Sequence, residues 1–328
     1  MQRLQSNIQI GDFIFDFVTD ITVESTWEMF TDTGEITIPR KVQFEGEDIS
    51  TLFKKGDKVS AQLGYFPNLN DTFQGVISEL HIETPIRFEI QDYMWLFKQF
   101  TMTKSFKDLK LQELLDFVLE SYNASDIKAS TGIDIVFETT ADVNTGMGKF
   151  RINRATGAKV FEEIKNKFGL TTFVRGNTFY IGIAYPFVDT SETHNILFER
   201  NIISDDLQFQ NEDDIKLKVK AISINDDNEK IEVEVGDPDG DERTQYFYNL
   251  SESDLTEQAN RRIEKLKFNG YKGSFETFGD PLIKHGDKIN LTSNKLPDRD
   301  GVYQVSKVTT SFGQSGYRQN VELDLKLS

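Results

Sequence analysis

KKGDKV, from Lys54 to Val59, returns near the other end of the chain as KHGDKI, from Lys284 to Ile289. Each copy leads into a strand-like stretch, passes a turn and reaches a second Gly-Val, Gly75-Val76 in one case and Gly301-Val302 in the other. Each then runs into an alternating strand, Phe88 to Ile90 or Val321 to Leu325. Lys-x-Gly-Asp-Lys is also a common hairpin turn, but the shared flanking order favours a duplicated β-module. Two copies of one module in a trimer would present six similar units to a six-fold partner.

A chain of 328 residues is too long for one small core and suits two or three domains. With 38% hydrophobic and 12% aromatic residues it can fill those cores, which excludes wholesale disorder. No apolar run approaches the roughly 20 residues that span a bilayer, so membrane insertion is not expected. The start, MQRLQSNIQIGDF, lacks the apolar core of a signal peptide, and synthesis in a bacterial cytoplasm is expected. Without cysteine there are no disulfide staples and no thiolate sites.

The formal charge of -17 is uneven, with fourteen acidic residues against four lysines between Ser204 and Glu242. Such a surface repels phosphate and argues against nucleic-acid binding through a basic patch. The simplest reading of the run is a solvated acidic face.

The first hundred residues read as β. Alternation marks Ile8-Ile10, Phe13-Phe15-Phe17, Ile21-Val23, Ile36-Ile38, Val59-Ala61-Leu63 and Ile86-Phe88-Ile90, separated by turn chemistry at Gly11-Asp12, Gly34, Gly56-Asp57 and Pro67-Asn68. Strands this short and close suggest a small barrel or sandwich. Pro39, followed by Arg40 and Lys41, marks a strand end that discourages further pairing.

Near Ser105 the pattern changes. Ser105 and Asp108 resemble a capping box, and Leu111, Leu114, Leu115, Val118, Leu119 and Tyr122 follow at helical spacing. A second helix is expected over 156–168, stopped by Gly169. A hairpin then runs through Leu170 to Ile183 around Arg175-Gly176-Asn177, and Tyr185-Pro186 closes the segment. Beyond Phe187 β resumes, with strands at Ile215 to Val219 and Ile231 to Val235 and one more helix from Ser251 to Phe268.

Catalytic constellations are thin. His81, His194 and His285 are far apart and lack metal-ligand spacing, and no Walker loop, Gly-x-Ser-x-Gly elbow or His-Glu-x-x-His is present. Gly146-Met147-Gly148 reads as a polar linker. Asp237-Pro238-Asp239-Gly240-Asp241-Glu242 places Glu242 where a calcium loop needs Gly and Tyr248 where it needs Glu, so a hairpin tip between Val235 and Tyr246 fits it better. A glycosidase carboxylate pair is a matter of three-dimensional geometry, and no residue is singled out for one. No catalytic residue, cofactor or metal is expected.

The C-terminal third carries a resemblance. Ala259 to Leu291 (ANRRIEKLKFNGYKGSFETFGDPLIKHGDKINL), Leu296 to Phe312 (LPDRDGVYQVSKVTTSF) and Gly316 to Leu325 (GYRQNVELDL) are similar to the closing domain of phage tail baseplate hub proteins. That family includes late control protein D and the hubs of Mu-like tails. Its order of turns falls here on Gly270, Tyr271, Gly273, Gly279, Asp280, Pro281, Gly286, Asp287, Gly301 and Tyr303, with Gly56 and Asp57 in the first copy of the repeated phrase. More loosely, Thr31 to Pro39, Gly75-Val76-Ile77 and Ile90 to Trp95 resemble the hub's first domain, and the helix, the Phe150-Arg151-Ile152 strand and the hairpin resemble its second.

The resemblance implies an α+β, mainly β chain with two related tube-like β-barrel domains, an inserted α/β domain and an additional helix-containing segment. The expected boundaries are 1–99 for the first barrel, 100–186 for the α/β domain, and 187–328 for the second barrel, with the helix-containing insertion at about 225–272. It further implies a homotrimeric baseplate hub in the virion, joining a six-fold tail tube protein to a three-fold tail spike protein among other baseplate proteins, around a DNA channel. Hydrolytic or long-spike functions would belong to separate chains. Two other readings stay open: a hub of a contractile secretion or injection system, and a tail-associated cell-envelope hydrolase.

Overall fold

The computed structural model describes residues 3–39, 49–139, 146–183, 191–225 and 229–327. Arg40, Lys41, the Tyr185-Pro186 close and the boundary expected between 186 and 187 lie outside them. The chain is mainly β. Its first part holds β1 (Leu4–Ile10), β2 (Phe13–Phe15), β3 (Asp20–Thr26), β4 (Thr33–Thr37), the one-turn α1 (Ile49–Leu52), β5 (Lys58–Tyr65), β6 (Asn68–His81) and β7 (Arg87–Gln91). The period-two pattern does what it promises here: Ile8 and Ile10, Val59, Ala61 and Leu63, and Phe88 and Ile90 all point into one core.

The middle holds β8 (Thr101–Lys110), α2 (Leu111–Asn123), α3 (Asp126–Thr131), β9 (Val136–Thr139), β10 (Gly146–Thr156), α4 (Gly157–Phe168), β11 (Leu170–Arg175) and β12 (Thr178–Ile183). The α2 stripe of Leu111, Leu114, Leu115, Val118 and Tyr122 packs with Val160, Phe161, Ile164 and Phe168 of α4 in one core. Thr156 caps α4 through its hydroxyl, and Gly169 ends it at φ 66°.

The last part holds β13 (Thr193–Leu197), α5 (Phe198–Asn201), β14 (Ile202–Asp205), β15 (Gln208–Gln210), β16 (Leu217–Ile224), β17 (Lys230–Gly236), β18 (Asp241–Tyr248), α6 (Glu252–Leu266), β19 (Gly270–Phe278), β20 (Lys288–Thr292), β21 (Gly301–Gly313) and β22 (Gly316–Lys326). Between β15 and β19 stands a separate three-stranded sheet, ordered β17-β16-β18, on which α6 lays Leu255 and Ala259 against Val219 and Ala221.

Fourteen strands make the main sheet, whose path runs β14-β19-β22-β21-β3-β4-β7-β6-β5-β1-β2 and is open at both ends among the described residues. Inside it one order occurs twice, as β3-β4-β7-β6-β5 and as β14-β19-β22-β21-β20, with every neighbouring pair antiparallel. The repeated turns match bond for bond. In the first, Asp57 N donates to Lys54 O (3.1 Å), Gly56 N to Ile77 O (2.9 Å) and Ile77 N to Asp57 O (2.9 Å). In the second, Asp287 N donates to Lys284 O (3.1 Å), Gly286 N to Val305 O (2.7 Å) and Val305 N to Asp287 O (2.9 Å). Gly56 at φ 90° and Gly286 at φ 85° occupy the left-handed backbone that an L side chain resists. Each aspartate carboxylate accepts the lysine N–H three residues back, at 2.8 Å to Lys54 and 2.9 Å to Lys284.

Four expectations need correction. The two Gly-Val pairs do not correspond, because Lys58 lies opposite Val76 whereas Lys288 lies opposite Gln304. Register is set by the turn's hydrogen bonds, and the two hairpin loops differ in length. Ser105 and Asp108 belong to β8, where Ser105 faces Arg151 of β10, and the helix begins only at Leu111. Strand pairing with β10 and burial of Met102, Phe106 and Leu109 capture that segment. Gly146 to Gly148 open β10 across an irregular register, with Met147 buried. The turn between β17 and β18 is no hairpin tip, since those strands flank β16 on opposite sides and the turn crosses its start. Asp237 holds it there by accepting from Leu217 N (3.1 Å) and Lys267 Nζ (2.7 Å). Part of the acidic run is paired on this small sheet: Lys218 with Glu234 and Glu242, and Lys220 with Glu232.

The two turns differ in one respect that can be measured. Asp287 is buried and also accepts from His194 Nε2 (3.0 Å) and Glu192 N (3.3 Å). Asp57→Ala is therefore expected to cost about 1 kcal/mol and Asp287→Ala about 3 kcal/mol. Thermal unfolding of the two variants checks this, and a larger loss in Asp57→Ala would contradict it.

Candidate functional site

The two halves of the main sheet meet where β3 lies on β21, in register from Thr26 opposite Lys307 to Asp20 opposite Gly313. β22 holds the other edge of β21, so β20 and β3 sit end to end on one edge. An ion pair between Lys307 and Glu24 (2.7 Å) and a bond from Thr26 Oγ1 to Ser306 O (3.1 Å) fasten this joint.

Beside the joint two carboxyl groups are buried together. Asp32 accepts from the Ser25 hydroxyl and from Thr26 N (3.0 Å), while its own N–H donates to Asp92 Oδ2 (2.9 Å). Asp92 Oδ1 accepts from Met94 N (2.9 Å) and so caps the 3-10 turn Tyr93–Lys98. Burial pushes the Asp32 carboxyl up to about 6 against the lowering pull of Ser25 and Thr26. Burial, then the Asp32 charge, pushes Asp92 well above the carboxylate range. Lys98 is lowered by burial, with Asp92 opposing, and donates to Gln91 Oε1 (2.7 Å).

A cavity of about 160 Å³ joins this pair to the second repeated turn, with Ser25, Asp32, Arg175 and His285 on its walls. Arg175 Nη2 donates to His285 O (2.6 Å), tying the β11–β12 turn to the turn before β20. Burial and then the Arg175 charge lower His285 to about 3, so its ring is neutral. A larger cavity of about 990 Å³ runs between the small sheet and the end of β22, where burial and then Glu28 raise Asp324 to about 6.

The residues singled out in the sequence fall into separate structural roles rather than one pocket. Gly56, Asp57, Gly286 and Asp287 make the two turns described above. Gly270, Tyr271 and Gly273 lie on β19, where Tyr271 N donates to Tyr303 Oη (3.0 Å) of β21, and Gly301 opens that strand. Gly279, Asp280 and Pro281 form the loop after β19; a Cβ on Gly279 would fall 2.2 Å from the Tyr317 ring, so only glycine fits. Gln319, fully buried and not anticipated, clamps that loop by donating to Phe278 O (3.0 Å) and Pro281 O (2.9 Å) and accepting from Ile283 N (2.9 Å). Asp32 and Asp92 lie in the segments Thr31 to Pro39 and Ile90 to Trp95 that resemble the hub's first domain, without being singled out there, and Arg175 reads only as a turn residue. Of the histidines, His81 meets Glu89 (3.0 Å), His194 meets Asp287 in the second repeated turn, and His285 of that turn accepts from Arg175 through its backbone oxygen and sets its ring against Phe173. Among the described residues no group of three His, Cys, Asp or Glu is placed to hold a metal, and no helix is long and apolar enough to cross a membrane.

No family model and no curated protein matches the sequence. Solved structures do match the fold. A tail protein from Neisseria meningitidis aligns with a TM-score of 0.62 at 13% identity, over 99% of this chain and 96% of that one. The chain has the fold of phage tail proteins. The 43 kDa tail protein of prophage MuSo2 from Shewanella oneidensis aligns at 0.60 and 12% identity over 97% of each chain. An E. coli component of the type VI secretion system, described as similar to T4 tail proteins, aligns at 0.57 and 9% identity over 97% of this chain and 76% of that one. These neighbours are tail and secretion-system proteins.

The acid pair has a pH signature. Folding raises both carboxyl pKa values, so their contribution is fully present below the unfolded value near pH ~4; the Asp32 part is lost as pH rises through about 6, and the Asp92 part is lost as pH rises through its own raised value. Wild type is expected to lose stability relative to Asp32→Asn between pH 4 and 7. Denaturant unfolding of both at the two pH values measures it; parallel behaviour would contradict the assignment.

Proposed function

We propose that the chain is the structural baseplate hub of a phage or prophage tail: a homotrimeric ring that adapts a six-fold tail tube to a three-fold spike and leaves a channel for DNA. The strand joint carries this reading. In the first half β3 covers the edge of β21; its counterpart β14 ends the main sheet and pairs only with β19 among the described residues. The counterpart of β21 is β6, which β5 covers up to Val76 with no strand beyond on that edge among the described residues. Laying β14 of one copy on β6 of the next repeats the joint already present within each chain. Ile203 and Ile82, both exposed, stand at these two edges.

Open edges of this kind invite pairing, and a ring satisfies the β14 and β6 edges of every copy at once. Three chains are what the hub resemblance implies, and the duplicated strand order would then give six similar units. In this reading residues 1–99 and 187–328 are the two tube-like barrel domains, with 100–186 as the α/β domain and the helix-containing insertion at about 225–272. The work is binding: to itself, to tube and spike proteins, and to other baseplate proteins, without catalysis or cofactor. The net charge of -17 would keep DNA phosphates from sticking. The type VI neighbour supports a second reading, the equivalent hub of a secretion or injection system. A cell-envelope hydrolase is disfavoured by the chemistry, since Asp32 and Asp92 spend their carboxylates on backbone N–H groups.

Light scattering of the purified protein should give three times the chain mass, and negative-stain images of that peak a ring with a central hole. Ile203→Lys, which places a charge on the β14 edge, should leave the fold intact and shift the mass to one chain. A compact wild-type monomer at every concentration, with no ring in the images, would overturn the hub reading.

A further inference from the structure

The small sheet β17-β16-β18 has an open edge of its own. Among the described residues β17 pairs only with β16, over seven residues in continuous register with no proline and no bulge. The two ends of that ladder assign its bonds. Asn225 N donates to Glu229 O (3.0 Å) at one end, and Asp237 N donates to Leu217 O (2.8 Å) at the other. An antiparallel ladder alternates bonded and non-bonded pairs, so Ile231, Val233 and Val235 turn their N–H and C=O groups toward β16. Lys230, Glu232 and Glu234 turn theirs outward, and all three residues are exposed.

The same period divides the side chains. Val233 and Val235 pack with Leu255 and Ala259 on the α6 face, and Ile231 continues their row but is 37% exposed. Glu232 and Glu234 lie on the opposite face beside Lys220 and Lys218. Signs alternate across that face: Glu242 meets Lys218 (2.8 Å), Lys218 also meets Glu234 (3.7 Å), and Lys220 meets Glu232 (2.9 Å). Three carboxylates share two ammonium groups, so the charge that continues the alternation on the open side of β17 is positive. A second β17 would repeat the acid excess, setting Glu232 against Glu232 when its Lys230 meets Glu234.

We propose that β17 takes an extended segment of a partner protein as a fourth strand, one that alternates basic side chains against Glu232 and Glu234 with apolar side chains beside Ile231 and Val233. The outward backbone groups supply the bonds, and the two rows of side chains select the partner. The site requires neither a ring nor the joint between β3 and β21, because β17 belongs to a sheet separate from the main one. It therefore stands whatever the number of chains in the assembly.

Residue-resolved amide exchange of the full chain tests this, with a capped peptide that alternates valine and lysine and matches β17 in length as the probe. Saturating peptide should slow exchange of the Glu232 and Glu234 N–H groups at least about ten-fold. The same peptide with glutamate in place of lysine should bind at least about ten-fold more weakly. Glu234→Pro removes an outward N–H that makes no bond to β16 and should weaken the lysine peptide by a similar factor. The double variant Glu232→Gln with Glu234→Gln leaves the backbone alone and should erase most of the preference between the peptides. Should the proline variant unfold, exchange in the wild type and the peptide preference of the glutamine variant decide. No slowing at Glu232 and Glu234, equal affinity of the wild type for both peptides, or protection of this edge that grows with protein concentration in the absence of peptide would overturn the proposal.

Discussion

A β-strand that ends a sheet leaves a row of backbone N–H and C=O groups without partners, and the main sheet is arranged around that constraint. Within the chain the problem is solved once, by laying β3 along the second half of β21. That contact joins a sheet half built from the first residues to one built from the last, so the two ends of the sequence share a single sheet. The same order of strands stands on both sides of that joint.

The polar groups near the joint serve position rather than chemistry. Asp32 reaches from the β3–β4 connection to the backbone of β3, and Asp92 receives the Asp32 N–H while capping the turn after β7. Two buried carboxyls side by side are costly as anions, which is why both hold their protons more tightly than usual. Arg175 carries the linkage onward to the backbone of His285, so the α/β part of the chain is tied to the second repeated turn. The aspartates of the two turns show how context divides equal motifs: Asp287 takes on His194 and is buried, whereas among the described residues Asp57 has only the bonds of the turn itself.

Most strands and two of the longer helices were legible because each depends on local pattern. Alternating Ile, Val and Phe residues marked the strands of both halves, and Thr156 with Gly169 and Ser251 with its acidic first turn marked α4 and α6. Legibility failed where a distant partner outweighed the local signal. Ser105 and Asp108 look like a helix start, but β10 pairs with them first, and Gly146 to Gly148 look like a linker until β8 supplies the ladder. Gln319 could not have been singled out, since its three bonds reach a loop some forty residues away along the chain.

The sequence alone determined the mainly β character, the absence of thiol chemistry and the two Gly-Asp turns, because composition, side-chain period and the need for a left-handed backbone are properties of neighbouring residues. The tertiary structure decided the register between the repeats, the placing of β3 on β21, the meeting of Asp32 with Asp92, and which strand edges stay open. Those depend on hydrogen bonds and burial between segments as much as 280 residues apart, such as Thr26 and Ser306, and no local pattern encodes them.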